Sequence, residues 1–142
     1  MQQIKFHSKF AVPELKNRRR LKEFLKTIFQ NEGFRLNVVD IVFCNDNDLL
    51  ALNRKFLSHN YKTDILTFSL GASPVVEGEI YISIPTVRSN ASYYKVPFLV
   101  ELHRVVIHGI LHLCGYTDSK KTLKLKMENR QEKYLDQYMA KK

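Results

Sequence analysis

Ile4 and Phe6 alternate with polar neighbours and Phe10 extends the series, which predicts a first strand. Over residues 17–31 the period changes. Leu21, Phe24, Leu25 and Ile28 recur three and four apart, the spacing that puts side chains on one face of a helix, and Gly33 ends it. Residues 35–44 are β-branched and apolar, a second strand. Asp46 and Asp48 can cap a short helix carrying Leu49, Leu50, Leu52 and Phe56. Residues 64–70 predict a third strand, and residues 78–84, with Ile80, Ile82 and Ile84 alternating, a fourth. Pro85 and Pro97 each stand where a helix can begin. The first opens a short helix, the second a longer and very apolar one that runs through Cys114. Beyond Gly115, residues 122–138 are amphipathic, with Leu123, Met127, Tyr134 and Tyr138 on one stripe.

Four strands and four or five helices predict an α/β (α+β) domain with one mixed four-stranded sheet. A helix between strands two and three implies at least one parallel pairing. With 142 residues, no repeat and no low-complexity linker, the expectation is a single domain over residues 1–142. A hydrophobic share of 44% with 26% charged residues excludes a wholly disordered chain. No run approaches the ~18 uncharged apolar residues of a membrane span, and the opening MQQIKFHSKF lacks the apolar core of a signal peptide. Cys44 and Cys114 are too few for a disulfide scaffold, so a reduced, cytoplasmic protein without a membrane partner is expected. Lys and Arg outnumber Asp and Glu by 23 to 14, a net charge of +9. Such a surface attracts polyanions, nucleic acid above all, although a merely solvated basic surface has the same composition.

The chemistry concentrates in His108-Gly-Ile-Leu-His112-Leu-Cys-Gly115-Tyr-Thr-Asp118. Histidines four apart lie one above the other on a helix, where two imidazoles reach one zinc ion at Zn–N distances of about 2.0–2.1 Å. Gly115 tolerates the left-handed conformation that reverses the chain, so Asp118 can fold back toward the histidines. Two imidazoles and a carboxylate leave a fourth tetrahedral position for water, the arrangement of a catalytic site; zinc lowers the pKa of that water toward about 7 and makes it the nucleophile. A carboxylate ligand donates more charge than a third histidine and leaves the water less acidic. The competing explanation, a chance pair of surface or core-edge histidines, is weakened by the apolar helix around them: unpaired buried imidazoles are costly. A zinc peptidase uses the same spacing but places its general base, Glu, directly after the first His. Gly109 stands there.

The segment 108–116 resembles the YbeY family of bacterial ribosomal-RNA maturation factors. So do Leu52-Asn53, Thr63-Asp64-Ile65-Leu66-Thr67-Phe68 and Gly78-Glu79-Ile80-Tyr81-Ile82-Ser83, in the family's order. The resemblance implies a mixed sheet with helices and one zinc ion (Zn2+) per chain held by three side chains, here His108, His112 and Asp118. It also implies cleavage of single-stranded RNA in ribosomal RNA processing and ribosome biogenesis, especially at the small-subunit 3′ end. The chain departs from the family at two places. The third ligand is usually a histidine following Asp, where this chain has Thr117 and Asp118. An arginine that could hold a phosphate is replaced by Leu57, for which Arg54 or Lys55 can substitute.

Thr63 and Asp64 mark either a site edge or a strand-entry turn. Glu79 either lines the cleft or pairs with a basic group, or else occupies an exposed edge. Glu101, two turns before His108, either supports the site or complements the start of its helix. His103 is about 140° around the helix from His108, and His7 and His59 have no partner at metal spacing. Cys114 reads as a packed thiol. Arg18, Arg19, Arg20 and Lys22, and Lys120, Lys121, Lys124 and Lys126, are clusters that can hold RNA phosphates or merely face solvent. Tyr93, Tyr94 and Tyr116 can stack on bases or pack in the core. The expected function is therefore a zinc-dependent endoribonuclease whose partners are ribosomal RNA, single-stranded RNA and the small ribosomal subunit. The sequence leaves two nucleophiles open, the zinc-bound water, with support from Thr63, Asp64 and Glu101, and the ribose 2′-hydroxyl of the substrate, whose attack would leave a cyclic phosphate. The alternatives are a zinc-stabilised, non-catalytic ribosome-associated RNA-binding factor and, disfavoured by Gly109, a metallopeptidase.

Overall fold

The computed structural model describes residues 2–57 and 63–140. Along them run β1 (Gln3–Ser8), α1 (Arg18–Asn31), β2 (Arg35–Cys44), α2 (Asp46–Leu57), β3 (Ile65–Ser69), β4 (Val75–Ser83), α3 (Ile84–Tyr94), α4 (Phe98–Leu113) and α5 (Lys121–Ala140). Caps set where helices start. Asn17 Oδ1 accepts from the Arg20 N–H at 3.2 Å, and Ser83 Oγ from the Thr86 N–H at 3.4 Å. At α2 the cap is Asn45, not the predicted Asp46 or Asp48. Asn45 Oδ1 accepts from the Asp48 N–H at 2.9 Å, and Asp48 Oδ2 from the Asn45 N–H at 3.3 Å, a reciprocal box. Asp46 instead accepts from the Ser83 and Thr86 hydroxyls and ties α2 to the start of α3.

Three helices stop through one device. After α4 the Tyr116 N–H reaches the Leu111 carbonyl at 3.1 Å and the Gly115 N–H that of His112 at 3.0 Å, with Gly115 at φ +93°. Gly33 closes α1 in the same way, and at the end of α3 the left-handed residue is Lys95, at φ 58°. A side chain there pays the Cβ–carbonyl clash that glycine avoids. Lys95 is exposed, so Lys95→Gly should raise stability by about 0.5–1 kcal/mol. Urea denaturation checks this, and a lowered midpoint would refute it.

The sheet order is β1-β2-β4-β3. β1 runs parallel to β2 (Phe6 opposite Ile41) and β2 parallel to β4 (Ile41 opposite Ile80), while β3 is antiparallel to β4 (Thr67 opposite Ile80). The expected parallel pairing exists, but not between the two strands that flank α2: β3 joins the outer edge of β4 instead. Phe10 falls outside β1 and packs at the rim of the core, β4 begins three residues before the predicted start, and Leu123 is exposed rather than part of the α5 stripe.

One sheet face, through Val39, Ile41, Phe43, Ile80 and Ile82, packs against α1 and α4, and the opposite face carries α2 over Cys44, Leu49 and Leu66. α4 is buried on most sides, with α3 and α5 against it. Gly109 permits its close approach to the sheet, since a Cβ there would lie 2.9 Å from Ile65 Cδ1 and 3.0 Å from Ile80 Cγ2. Both cysteines are buried free thiols, pushed up by burial to about 11 for Cys44 and about 12 for Cys114, as inert packed groups should be. Among the described residues no single helix is long and apolar enough to cross a membrane.

Candidate metal centre

Because Gly109 faces the sheet, His108 and His112 emerge together on another side of α4, at its junction with α5. Their Nε2 atoms face each other at 3.0 Å. Each Nδ1 is engaged elsewhere. His112 Nδ1 donates to the Tyr116 carbonyl at 3.1 Å, which the glycine turn at the end of α4 carries back over the ring. His108 Nδ1 donates to Gln131 Oε1 at 2.6 Å. The Gln131 amide is oriented by its own Nε2, which donates to Glu132 Oε2 at 3.0 Å. With each Nδ1 donating to an oxygen, each Nε2 is left to turn its acceptor lone pair toward the same point. Two such acceptors repel unless a cation lies between them, and nitrogens on a tetrahedral zinc ion sit about 3.3 Å apart. Asp118 Oδ2 is 4.0 Å from His112 Nε2, and the three ligand atoms all lie within 4.8 Å of one another. This His/His/Asp group could hold a metal ion, and its N,N,O donor set suits zinc. Burial, and then the neighbouring His108, push the His112 pKa down against the opposing pull of Asp118, which keeps the ring in its neutral, ligating form.

Asp118 is three residues ahead of α5, too early for that helix's N-cap position. Thr63 and Asp64 form a strand-entry turn, and Asp64 also lines a cleft beside His108. Thr63 Oγ1 donates to the Ile65 carbonyl at 3.1 Å, and the Asp64 carbonyl accepts from the Ser83 N–H at 3.0 Å. Asp64 lines a cleft of about 370 Å³ together with His108, Glu101, Tyr94, Lys124 and Gln131. Burial raises the Asp64 pKa, against its own backbone N–H and the nearby His108.

Glu101 is 5% exposed and its bond goes to Arg104 Nη1, at 2.6 Å. Arg104 grips Glu132 through Nε and Nη2 at 3.0 and 3.2 Å. Glu101 is therefore connected to His108 through Arg104, Glu132 and Gln131. These three went unnoticed in the sequence, although a polar Gln131 four residues after Met127 in an apolar stripe is a legible signal.

Other candidates lie elsewhere. Glu79 points to the face opposite α4, where the Tyr81 hydroxyl donates to it at 3.1 Å, so it does not line the metal cleft. His7 pairs with Asp40 at 2.7 Å, His103 packs against the Tyr138 ring at 4.9 Å, and His59 lies outside the described residues. Arg54, Lys55 and Leu57 stand on α2, across the sheet from α4. In the first basic cluster, Arg18 donates to Ser8 Oγ and Arg20 stacks 4.0 Å from the Tyr138 ring centre while donating to the Tyr138 carbonyl. Lys120, Lys121, Lys124 and Lys126 are exposed, and Lys124 lines the cleft of His108. The Tyr116 hydroxyl is held by Glu32 at 2.7 Å, whereas Tyr93 and Tyr94 are 80% and 61% exposed. A glutamate at position 109 would be driven into Ile65 and Ile80, so the peptidase base has no place in this fold.

Fold and site define a class: α/β proteins whose central helix presents two histidines one turn apart to a carboxylate from the following loop. The sequence matches the family described as Endoribonuclease YbeY over residues 3–139. It is 40% identical to the Endoribonuclease YbeY of Chlorobium phaeobacteroides strain DSM 266, over 84% of each chain. With that of Bacteroides thetaiotaomicron the identity is 41%, over 75% of this chain and 77% of the other. The solution structure of a Thermotoga maritima protein, 30% identical, superposes with a TM-score of 0.72 over 98% of this chain and 91% of its own. The chain belongs to the endoribonuclease YbeY family.

Proposed function

We propose that this chain is a zinc-dependent endoribonuclease that cuts single-stranded RNA. Its place is in ribosomal RNA processing at the small-subunit 3′ end, in the cytoplasm and in contact with the small ribosomal subunit. Membership of the family supports the RNA-cleaving part. The observation that carries the site is the pair of Nε2 atoms that face each other at 3.0 Å within reach of Asp118. His108, His112 and Asp118 hold one zinc ion per chain. Zinc held there would supply an acidified water and offset the negative charge that grows on the phosphate oxygens. Gln131 and the Tyr116 carbonyl fix both imidazole tautomers. Asp64, raised by burial, is the carboxyl placed to take up or return a proton in the cleft. Thr63 holds the Asp64 segment in place. Glu101 is a positioning residue, acting through Arg104.

The test uses end-labelled, unstructured RNA with native, chelated and zinc-restored protein. Cleavage lost on chelation and regained with zinc supports the reading. Cleavage that survives chelation refutes the zinc dependence, and absence of cleavage by fully zinc-loaded protein refutes the nuclease. Asp118 has its own test. Asp118→Ala should lose most zinc affinity, while Asp118→His should retain zinc and shift the basic limb of the pH–rate profile toward lower pH, a neutral ligand having replaced an anionic one. Full zinc in Asp118→Ala would remove Asp118 from the ligand set.

A further inference from the structure

Two tyrosines at the end of α3 have no side-chain hydrogen bond and lie outside the core among the described residues. Tyr93 and Tyr94 are 80% and 61% exposed, and their rings meet edge-to-face at 5.2 Å. In contrast, Tyr116 and Tyr134 donate to Glu32, and Tyr138 is buried between Phe24 and His103. The left-handed turn at Lys95 stops the helix directly after them, so the pair is presented at a fixed place. Tyr94 nonetheless lines the same cleft as His108, Asp64 and Lys124. Of the two cations in that cleft, Arg104 is committed to Glu101 and Glu132. Lys124 is in no ion pair among the described residues and is exposed.

We infer that Tyr94, steadied by Tyr93 and faced by Lys124, forms a nucleotide subsite beside the histidine pair, in which an unpaired base stacks on the Tyr94 ring and a neighbouring phosphate is held by Lys124. The inference rests on the endoribonuclease reading and specifies its substrate. Every base has a π-face, so the platform is sequence-tolerant. A base inside a duplex already has both faces stacked, so the subsite admits single strands and rejects helices. Lys124, on the first turn of α5, adds attraction to the backbone without selecting sequence.

The experiment measures binding of a short unstructured RNA to zinc-loaded protein by fluorescence anisotropy, alongside cleavage and zinc content. Tyr94→Ala should weaken binding about 5- to 150-fold, the range of a single base–aromatic stack, with zinc content and melting temperature unchanged. Tyr94→Phe should bind as the native protein does. Lys124→Ala should lower the slope of log affinity against log salt by about one. The chain has no tryptophan, so its intrinsic emission is tyrosine's, and RNA should quench it less in Tyr94→Ala. Native binding and cleavage in Tyr94→Ala would overturn the subsite and leave the nuclease standing. Equal weakening toward a duplex and a single strand would overturn the strand selection. A native protein that holds zinc yet neither binds nor cuts RNA would overturn the endoribonuclease reading and this inference with it.

Discussion

His112→Ala protein, purified without chelator, should carry no stoichiometric zinc and should not cleave RNA. The expectation follows from the geometry around one atom. His112 Nε2 lies 3.0 Å from His108 Nε2 and 4.0 Å from Asp118 Oδ2, so it forms one corner of a triangle with the other two ligand atoms. Removing it leaves one imidazole and one half-exposed carboxylate, and two protein ligands hold zinc weakly. The fold should survive. The His112 side chain is 23% exposed, and the turn that follows it is closed by backbone bonds from Gly115 and Tyr116 rather than by the ring. Elemental analysis and melting temperature on one sample therefore separate loss of the site from loss of the structure. Zinc at one equivalent in folded His112→Ala would dismantle the proposed centre.

The second large effect is on stability. Glu32, immediately after α1, is the common acceptor for the Tyr116 hydroxyl at 2.7 Å, Arg130 Nε at 2.9 Å and the Tyr134 hydroxyl. Its side chain is 7% exposed. Glu32→Ala strands the hydroxyl of the buried Tyr134 and unpairs Arg130. Losing one partner of a buried ion pair costs about 3–5 kcal/mol, and Arg130 is exposed enough to place the loss near the lower end, about 3 kcal/mol. Burial pushes the Glu32 pKa up, but the donors Tyr134, Tyr116 and Arg130 outweigh it and bring it below its ordinary 4.5. A carboxylate lowered on folding stabilises above its unfolded pKa, and that contribution is lost as pH falls through the lower folded value. Native protein should therefore lose stability with acid below about pH 4.5, and Glu32→Gln should flatten that decline. Urea midpoints at pH 7 and across the acid range measure both effects; a Glu32→Ala midpoint equal to the native one would refute the cluster's role. Zinc affinity should fall as well, because Glu32 anchors Tyr116, whose carbonyl orients His112.

The elements and the heart of the site were legible in the residues because both are written at short range. Helix and strand periods repeat within a few positions. The spacing from His108 to His112 becomes one helical turn wherever the helix lies, and Gly115 reverses the chain by its own conformational freedom. What surrounds the site was decided by packing between distant segments. β3 took the antiparallel edge of β4 because strand order depends on how helices cover the sheet, not on the strands' own composition. Gln131 reaches His108 across 23 residues, and Glu32 reaches Tyr116, Arg130 and Tyr134 across 84, 98 and 102. No local period encodes such partners, since they meet only when α4 and α5 dock against the end of α1. Gly109 shows both scales at once. Its identity excluded a peptidase base on chemical grounds, but only the packed sheet revealed that any side chain there would collide with Ile65 and Ile80.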